Sequence, residues 1–167
     1  MGRTRERKHA LSDIEERIAA LGIRIPDPLP AGGLYNSVVI DGNIAYTSGI
    51  VAIDLGPPIA LAHPGVVGED LSIEEGQASA RGAIVSTLAN LRGALGDLDR
   101  VQQFLKVTGF VRAAPGFKEL PKVLDGASQL IVDVWGRERL SARTTVGVLA
   151  LPGGASVELD TVVRIRS

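Results

Sequence analysis

Between residues 73 and 95 apolar side chains recur every three or four positions, at Ile73, Ala80, Ile84, Leu88, Leu91 and Leu95 with Gln77 on the same line, which predicts one long helix. Ser72 and Glu75 before it form the capping-box pattern, and Gly96 stands where such a helix stops. The spacing returns from Pro121 to Trp135, where Val123, Ala127, Leu130, Ile131 and Val134 share one face. Ser12 and Glu15 open a shorter helix through Ala20, with Gly22 past its end. Elsewhere the pattern changes to that of sheet. Tyr35–Ile40 and Asn43–Ser48 flank Asp41-Gly42, the pair that a tight type I′ hairpin turn prefers. Val101–Val111 is rich in β-formers, and two further strands close the chain. In the last of them Val157, Leu159, Val163 and Ile165 lie on one face, while Glu158, Asp160, Arg164 and Arg166 share the other with Val162. This order predicts an α+β fold, a mixed sheet with two helices on one face and an N-terminal helix besides. The uncovered face, which includes Val162, is then left for water or for another subunit.

Two stretches break the pattern. IPDPLPAGG carries three prolines, which remove backbone donors and bias their neighbours away from helix, so it reads as a linker or covering loop. Gly49–Glu69 is rich in Gly and Pro and long enough to suggest a functional loop that covers a site. The long helix carries Ala78, Ala80, Gly82 and Ala83, small residues that let it lie close against a sheet.

Composition narrows the chemistry. With 167 residues, 45% hydrophobic and 22% charged, the chain suits one globular domain over residues 12–167, preceded by a loose basic arm over 1–11. Cysteine is absent and there are two histidines, His9 and His63, so thiol chemistry and a histidine-built metal centre are excluded. No apolar run approaches the roughly 20 residues that span a bilayer, and no apolar stretch follows MGRTRERKH as in a signal peptide, so a cytoplasmic protein is expected. The formal net charge of −1 gives no overall attraction for nucleic acid, and Arg3, Arg5, Arg7 and Lys8 form the one local basic cluster.

The chain's most unusual pairing lies in SARTTVGVLALPGGASVELDTVVRI, where Arg143 begins one alternating run and Glu158 sits early in the next. GGLYNSVVIDGNIAYTSG, the alanine-rich helix, LKVTGFV and ARTTVGVLALPGGASVELD together resemble the Rid family of enamine/imine deaminases, also called YjgF-like or endoribonuclease L-PSP-like proteins. The resemblance runs from about Leu34 to Ile165, with ARxxVxxxxLPxxxxVE its most specific part. The longer N-terminus is similar to a longer branch of that family.

The resemblance implies a chorismate-mutase-like fold, a homotrimer with three sites between neighbouring subunits, no metal or organic cofactor, and hydrolysis of a small 2-imino acid to a 2-keto acid and ammonium. It implies that Arg143 grips the substrate carboxylate, for which a planar guanidinium offers two parallel charge-assisted bonds. Glu158 is implied in the same site, orienting water or moving a proton. Tyr35 matches the family's site tyrosine, and Ser48 and Gly49 match its TSG. Thr145 stands where many relatives have cysteine or serine. Asp125 falls on the place of a site asparagine, and Ile50 replaces a polar residue that often follows TSG. A carboxylate at 125 would compete with the substrate's own for Arg143, which disfavours the smallest imino acids and favours a substrate carrying a hydroxyl, amide or cationic group.

Each of these residues also has an ordinary reading. Arg143 suits a surface strand, Glu158 the polar half of an alternating strand or a subunit contact, Tyr35 the edge of a hairpin, and Ser48 a strand end. Function therefore has two competing readings: a hydrolytic deaminase, or a non-catalytic trimer that binds a small carboxylate metabolite. RNA cleavage ranks below both, because the sequence lacks a basic face and an aromatic-basic RNA motif.

Overall fold

The computed structural model describes residues 13–166. The basic arm and Ser12 of the first capping box lie outside the described residues. Helix α1 (Asp13–Ala20) has its first N–H groups taken up by a distant side chain: those of Asp13 and Ile14 donate to the Asp99 carboxylate at 3.1 and 2.9 Å. Helix α2 (Ile73–Leu95) has the expected cap, Ser72 accepting from the Glu75 N–H and Glu75 from the Ser72 N–H. Helix α3 (Leu120–Trp135) begins with proline in its first turn, where a missing N–H leaves no bond unmade.

The strands are β1 (Val38–Asp41), β2 (Ile44–Thr47), β3 (Ile50–Val51), β4 (Ile53–Asp54), β5 (Ala60–Leu61), β6 (Val101–Arg112), β7 (Ala142–Val148) and β8 (Val157–Ile165). The main sheet runs β1-β2-β8-β6-β7, with β3 added to β8, and β4-β5 form a separate ribbon. Among the described residues only β6 and β7 pair in parallel within the main sheet, joined through α3, so the sheet is mixed and the fold α+β as expected. β1 and β2 form a hairpin, but Asp41 pairs with Ile44, so the two turn residues are Gly42 and Asn43 rather than the expected Asp41-Gly42. Gly42 takes a positive φ of +57° and Asn43 does not, which differs from a type I′ turn.

Strand β6 buries Val101, Phe104 and Val107, three residues apart, then Gly109 and Val111 at the usual two. Irregularities in its pairing with β8 fall between Val101 and Gln103 and between Phe104 and Lys106. An extra residue in each interval turns a period of two into three, which keeps these apolar side chains on one face. That face carries Val157, Leu159, Val163 and Ile165 of β8, all buried beneath α2 and α3. Phe104 meets Trp135 of α3 edge to face with centroids 5.4 Å apart, and the Trp135 indole N–H donates to the Val101 carbonyl. The opposite face carries no helix among the described residues and presents Val39, Tyr46, Lys106, Phe110, Val146, Glu158, Asp160 and Val162 in cross-strand rows.

Two expectations change. Tyr35 lies before β1 rather than in it, because the glycine pair Gly32-Gly33 and the bends around it delay the strand until Val38. The segment 49–69 holds β3, β4 and β5 rather than being loop throughout; strands of two residues are too short to leave a periodic signal. The burial of α2 is also wider than a single stripe, since Ser79, Ser86, Thr87 and Asn90 are buried with the apolar residues. It contacts α3 and the β3–β4 segment as well as the sheet.

Candidate active site

The implied site residues fall into two groups on opposite faces of the sheet. The first group surrounds Glu158. Strand β8 pairs with β2 at Val162–Arg164 and with β3 at Glu158–Leu159, so the chain between β2 and β3 is out of step with its neighbour. Thr47 bridges the break: its hydroxyl accepts from the Thr161 N–H at 3.0 Å and pairs with the Thr161 hydroxyl at 3.0 Å. Ser48 and Gly49 follow. The Ser48 N–H donates to the Ser37 carbonyl, as does its hydroxyl at a longer 3.4 Å. A Cβ on Gly49 would stand 1.9 Å from Oε1 of Glu158, so a glycine is required for the carboxylate to lie where it does.

Tyr35, Ser48, Gly49 and Glu158 line one cavity of about 450 Å³, which falls in the size range of small-molecule sites. The Tyr35 hydroxyl accepts from the Gly32 N–H at 3.1 Å, which holds the half-exposed ring over its own glycine turn. Glu158 makes no hydrogen bond or ion pair among the described residues. Desolvation, and secondarily the neighbouring charge of Asp160, raise its pKa above the ordinary carboxylate value. Such a carboxyl gives and takes protons closer to neutrality than a free glutamate does.

The second group surrounds Arg143 on the edge strand β7. Arg143 stands beside Val107, which is buried under the helices, so its side chain shares the helix-covered face. Its Nη1 donates to Asp125 Oδ1 at 2.9 Å and to Ser128 Oγ at 2.8 Å, and Nη2 donates to the Pro121 carbonyl at 3.1 Å. Asp125 and Ser128 are three apart on α3 and therefore neighbours on its surface. Glycines set how close α3 lies. A Cβ at Gly126 would come within 2.1 Å of the Gln77 carbonyl on α2, and one at Gly109 within 2.4 Å of Leu124. Of the five guanidinium N–H groups, Nε–H and one on Nη2 remain without a partner among the described residues. The Arg143–Asp125 pair is partly exposed, at 22% and 60% of the two side chains, and pairs of that kind contribute about 0–1 kcal/mol. Thr145, two residues on, lies on the same face of β7 as Arg143.

Within one chain, then, Arg143 and Glu158 do not meet. Strand β6 separates theirs, and they face opposite sides of the sheet. The motif brings Tyr35, Ser48, Gly49 and Glu158 together, and separately Arg143, Asp125 and Thr145. Sequence reasoning missed Ser128 and Asn90. Ser128 was legible as the residue one helical turn from Asp125; Asn90 lines the Glu158 cavity and was legible as a lone amide between Ala89 and Leu91. No three His, Cys, Asp or Glu side chains gather into a metal-binding group among the described residues. No helix among them is long and apolar enough to cross a membrane.

Residues 15–156 match the family described as "YjgF/chorismate_mutase-like, putative endoribonuclease". Protein TCP17 of Trypanosoma cruzi is 38% identical over 157 residues, which cover 90% of this chain and 96% of that protein. A "putative endoribonuclease" from Shewanella oneidensis superposes with a TM-score of 0.85 at 28% identity, over 91% of this chain and 99% of its own. RidA from an Antarctic Psychrobacter superposes with a TM-score of 0.57 at 25% identity, over 83% of this chain and 94% of its own.

Proposed function

The chain belongs to the YjgF/chorismate-mutase-like family, and from that premise we propose that it is a hydrolytic deaminase of small 2-imino acids, acting as a homotrimer. Its sites form where the Glu158 cavity of one subunit meets the Arg143 edge of the next. The observation that carries this reading is the half-buried, unpaired Glu158 at a small-molecule cavity, its proton affinity raised by desolvation. The likeness to RidA supports the same chemistry.

In the proposed reaction the substrate carboxylate takes the free Nε–H and Nη2–H of Arg143. Glu158 in its acid form protonates the imine nitrogen. Water then attacks the imine carbon, a C–O bond forms, and the resulting carboxylate of Glu158 takes the released proton. That proton passes to the amine nitrogen, the C–N bond breaks, and ammonia leaves as the carbinol hydroxyl gives its proton back to the Glu158 carboxylate, which yields the 2-keto acid and restores the acid form of Glu158. Tyr35 closes the cavity, and Gly49 fixes the carboxyl against it.

A second reading is favoured by a specific observation. Arg143 is already held by Asp125, Ser128 and the Pro121 carbonyl, which suits a protein that binds a carboxylate without turning it over. One experiment separates the two: ammonia release from a panel of imino acids generated in situ from amino acids. Acceleration over spontaneous hydrolysis supports deamination; saturable binding with no acceleration supports the binder.

A further inference from the structure

The cavity beside Glu158 has a portion that the reaction steps above leave unused. Leu29 and Pro30 of the proline-rich segment wall it together with Ile50 and Ile53, and Asn90 of α2 lines it as well. This wall is held in place by the helix beneath it. Arg92 Nη2 donates to the Pro26 carbonyl at 2.8 Å, and a Cβ on Gly93 would lie 2.6 Å from Pro28 Cγ, so the segment rests directly on α2.

Asn90 is 6% exposed, and its side-chain amide has no hydrogen-bond partner among the described residues. No fully enclosed side-chain polar atom is left unpaired among those residues, so the Asn90 amide opens onto free space, and the space it lines is this cavity. A polar side chain at a position flanked by buried Ala89 and Leu91, with its amide accessible from the cavity, is a hydrogen-bonding group available to a ligand.

We propose that Leu29, Pro30, Ile50, Ile53 and Asn90 form a side-chain pocket that selects substrates with a short apolar stem ending in an uncharged carboxamide. The proposal rests on the deaminase reading for the reaction and on Asn90 for the preference. A carboxamide answers both functions of Asn90, accepting from its NH₂ and donating to its carbonyl. A carboxylate tip uses only the donors, and the one charged side chain lining the cavity among the described residues, Glu158, has the same sign. An ammonium tip leaves the Asn90 N–H groups unanswered.

The test uses isosteric pairs. Wild type is assayed on the imines derived from asparagine and from leucine, and calorimetry compares succinamate with 4-methylpentanoate. The proposal expects the amide member to be preferred about tenfold or more in kcat/KM and in affinity, because a site built to hydrogen-bond a group rejects the isostere that lacks it. Asn90→Leu reverses the order and Asn90→Ala removes it, each read as a ratio within one variant. Equal handling of the two members by wild type, or a ratio unchanged in a folded Asn90 variant, overturns the pocket. If succinamate binds tighter while no imine is accelerated, the pocket stands and deamination falls. If imines are hydrolysed without amide preference, deamination stands and the pocket falls.

Discussion

The two halves of the candidate site are opposites in how their charges are satisfied. Glu158 is half-buried, unpaired among the described residues and shifted toward its protonated form, whereas Arg143 lies at a sheet edge with three acceptors already around it. Glu158 has no partner among the described residues and lies against a glycine that leaves room for its carboxylate. Arg143 is held in position by its partners while two of its N–H groups stay without one among the described residues. In the proposed function these different residues, on opposite sides of one sheet, act as complementary parts contributed by neighbouring copies of the chain.

The largest effect is expected from the unpaired half. Glu158→Gln keeps shape and polarity but removes the titrating proton, so turnover is expected to fall about 10²-fold or more with ligand affinity and oligomeric state retained. Unchanged kcat in steady-state assays would make Glu158 a bystander, and loss of the trimer would assign it to the interface. At the paired half, Arg143→Lys keeps charge but loses the planar fork. Calorimetry with a small 2-keto acid is expected to show a loss of about 1.5–3 kcal/mol; equal affinities would show that Arg143 is not the anchor.

Asp125→Asn sharpens the comparison by loosening the paired half. Because Asp125 is 60% exposed, its competition for Arg143 is screened, and the gain is set by a surface ion pair of about 0–1 kcal/mol rather than by a buried repulsion. Binding of a 2-keto acid is therefore expected to tighten by no more than about fivefold, and turnover of the alanine-derived imine to rise in step. A mutant no better on either measure would place the ligand away from Asp125. The smallest effect concerns stability. The pKa of Glu158 is raised on folding, so its carboxyl contributes fully below the unfolded carboxylate pKa, and that contribution is lost as pH rises through the raised value. Denaturant unfolding should show wild type and Glu158→Gln alike at low pH, with wild type falling behind as pH increases past that point.

The parts of this fold legible in the sequence were those whose signal is local. The Ser72–Glu75 box fixes a few neighbouring dihedrals and appears where expected; the β1–β2 hairpin does too, although its turn falls one residue later than Asp41-Gly42, on Gly42-Asn43. The 3.6-residue spacing of α3 matched its buried face because that helix has a single covered side. Helix α2 hid more, since its surroundings include α3 and the proline segment, and polar residues such as Asn90 lie among its buried positions. At the candidate site the motif identified the residue types, and alternation placed Glu158 on the uncovered face. Nothing local told that Arg143 lies on the covered one, because β7 joins the sheet only through its pairing with β6, a contact spanning about 35 residues of chain. Tyr35 has the β-propensity of a strand residue, and the Gly32-Gly33 turn overrides it.

The proposed division of the site between subunits is tested most directly by mixing two impaired proteins. Glu158→Gln and Arg143→Lys are co-refolded in equal amounts, and imine hydrolysis is compared with each variant refolded alone. If sites form between neighbours in a trimer, random assortment gives about one site in four both an intact Glu158 and an intact Arg143, and activity returns to roughly that fraction of wild type. Activity no higher than that of the separate variants would place both residues' roles within a single chain and contradict the account.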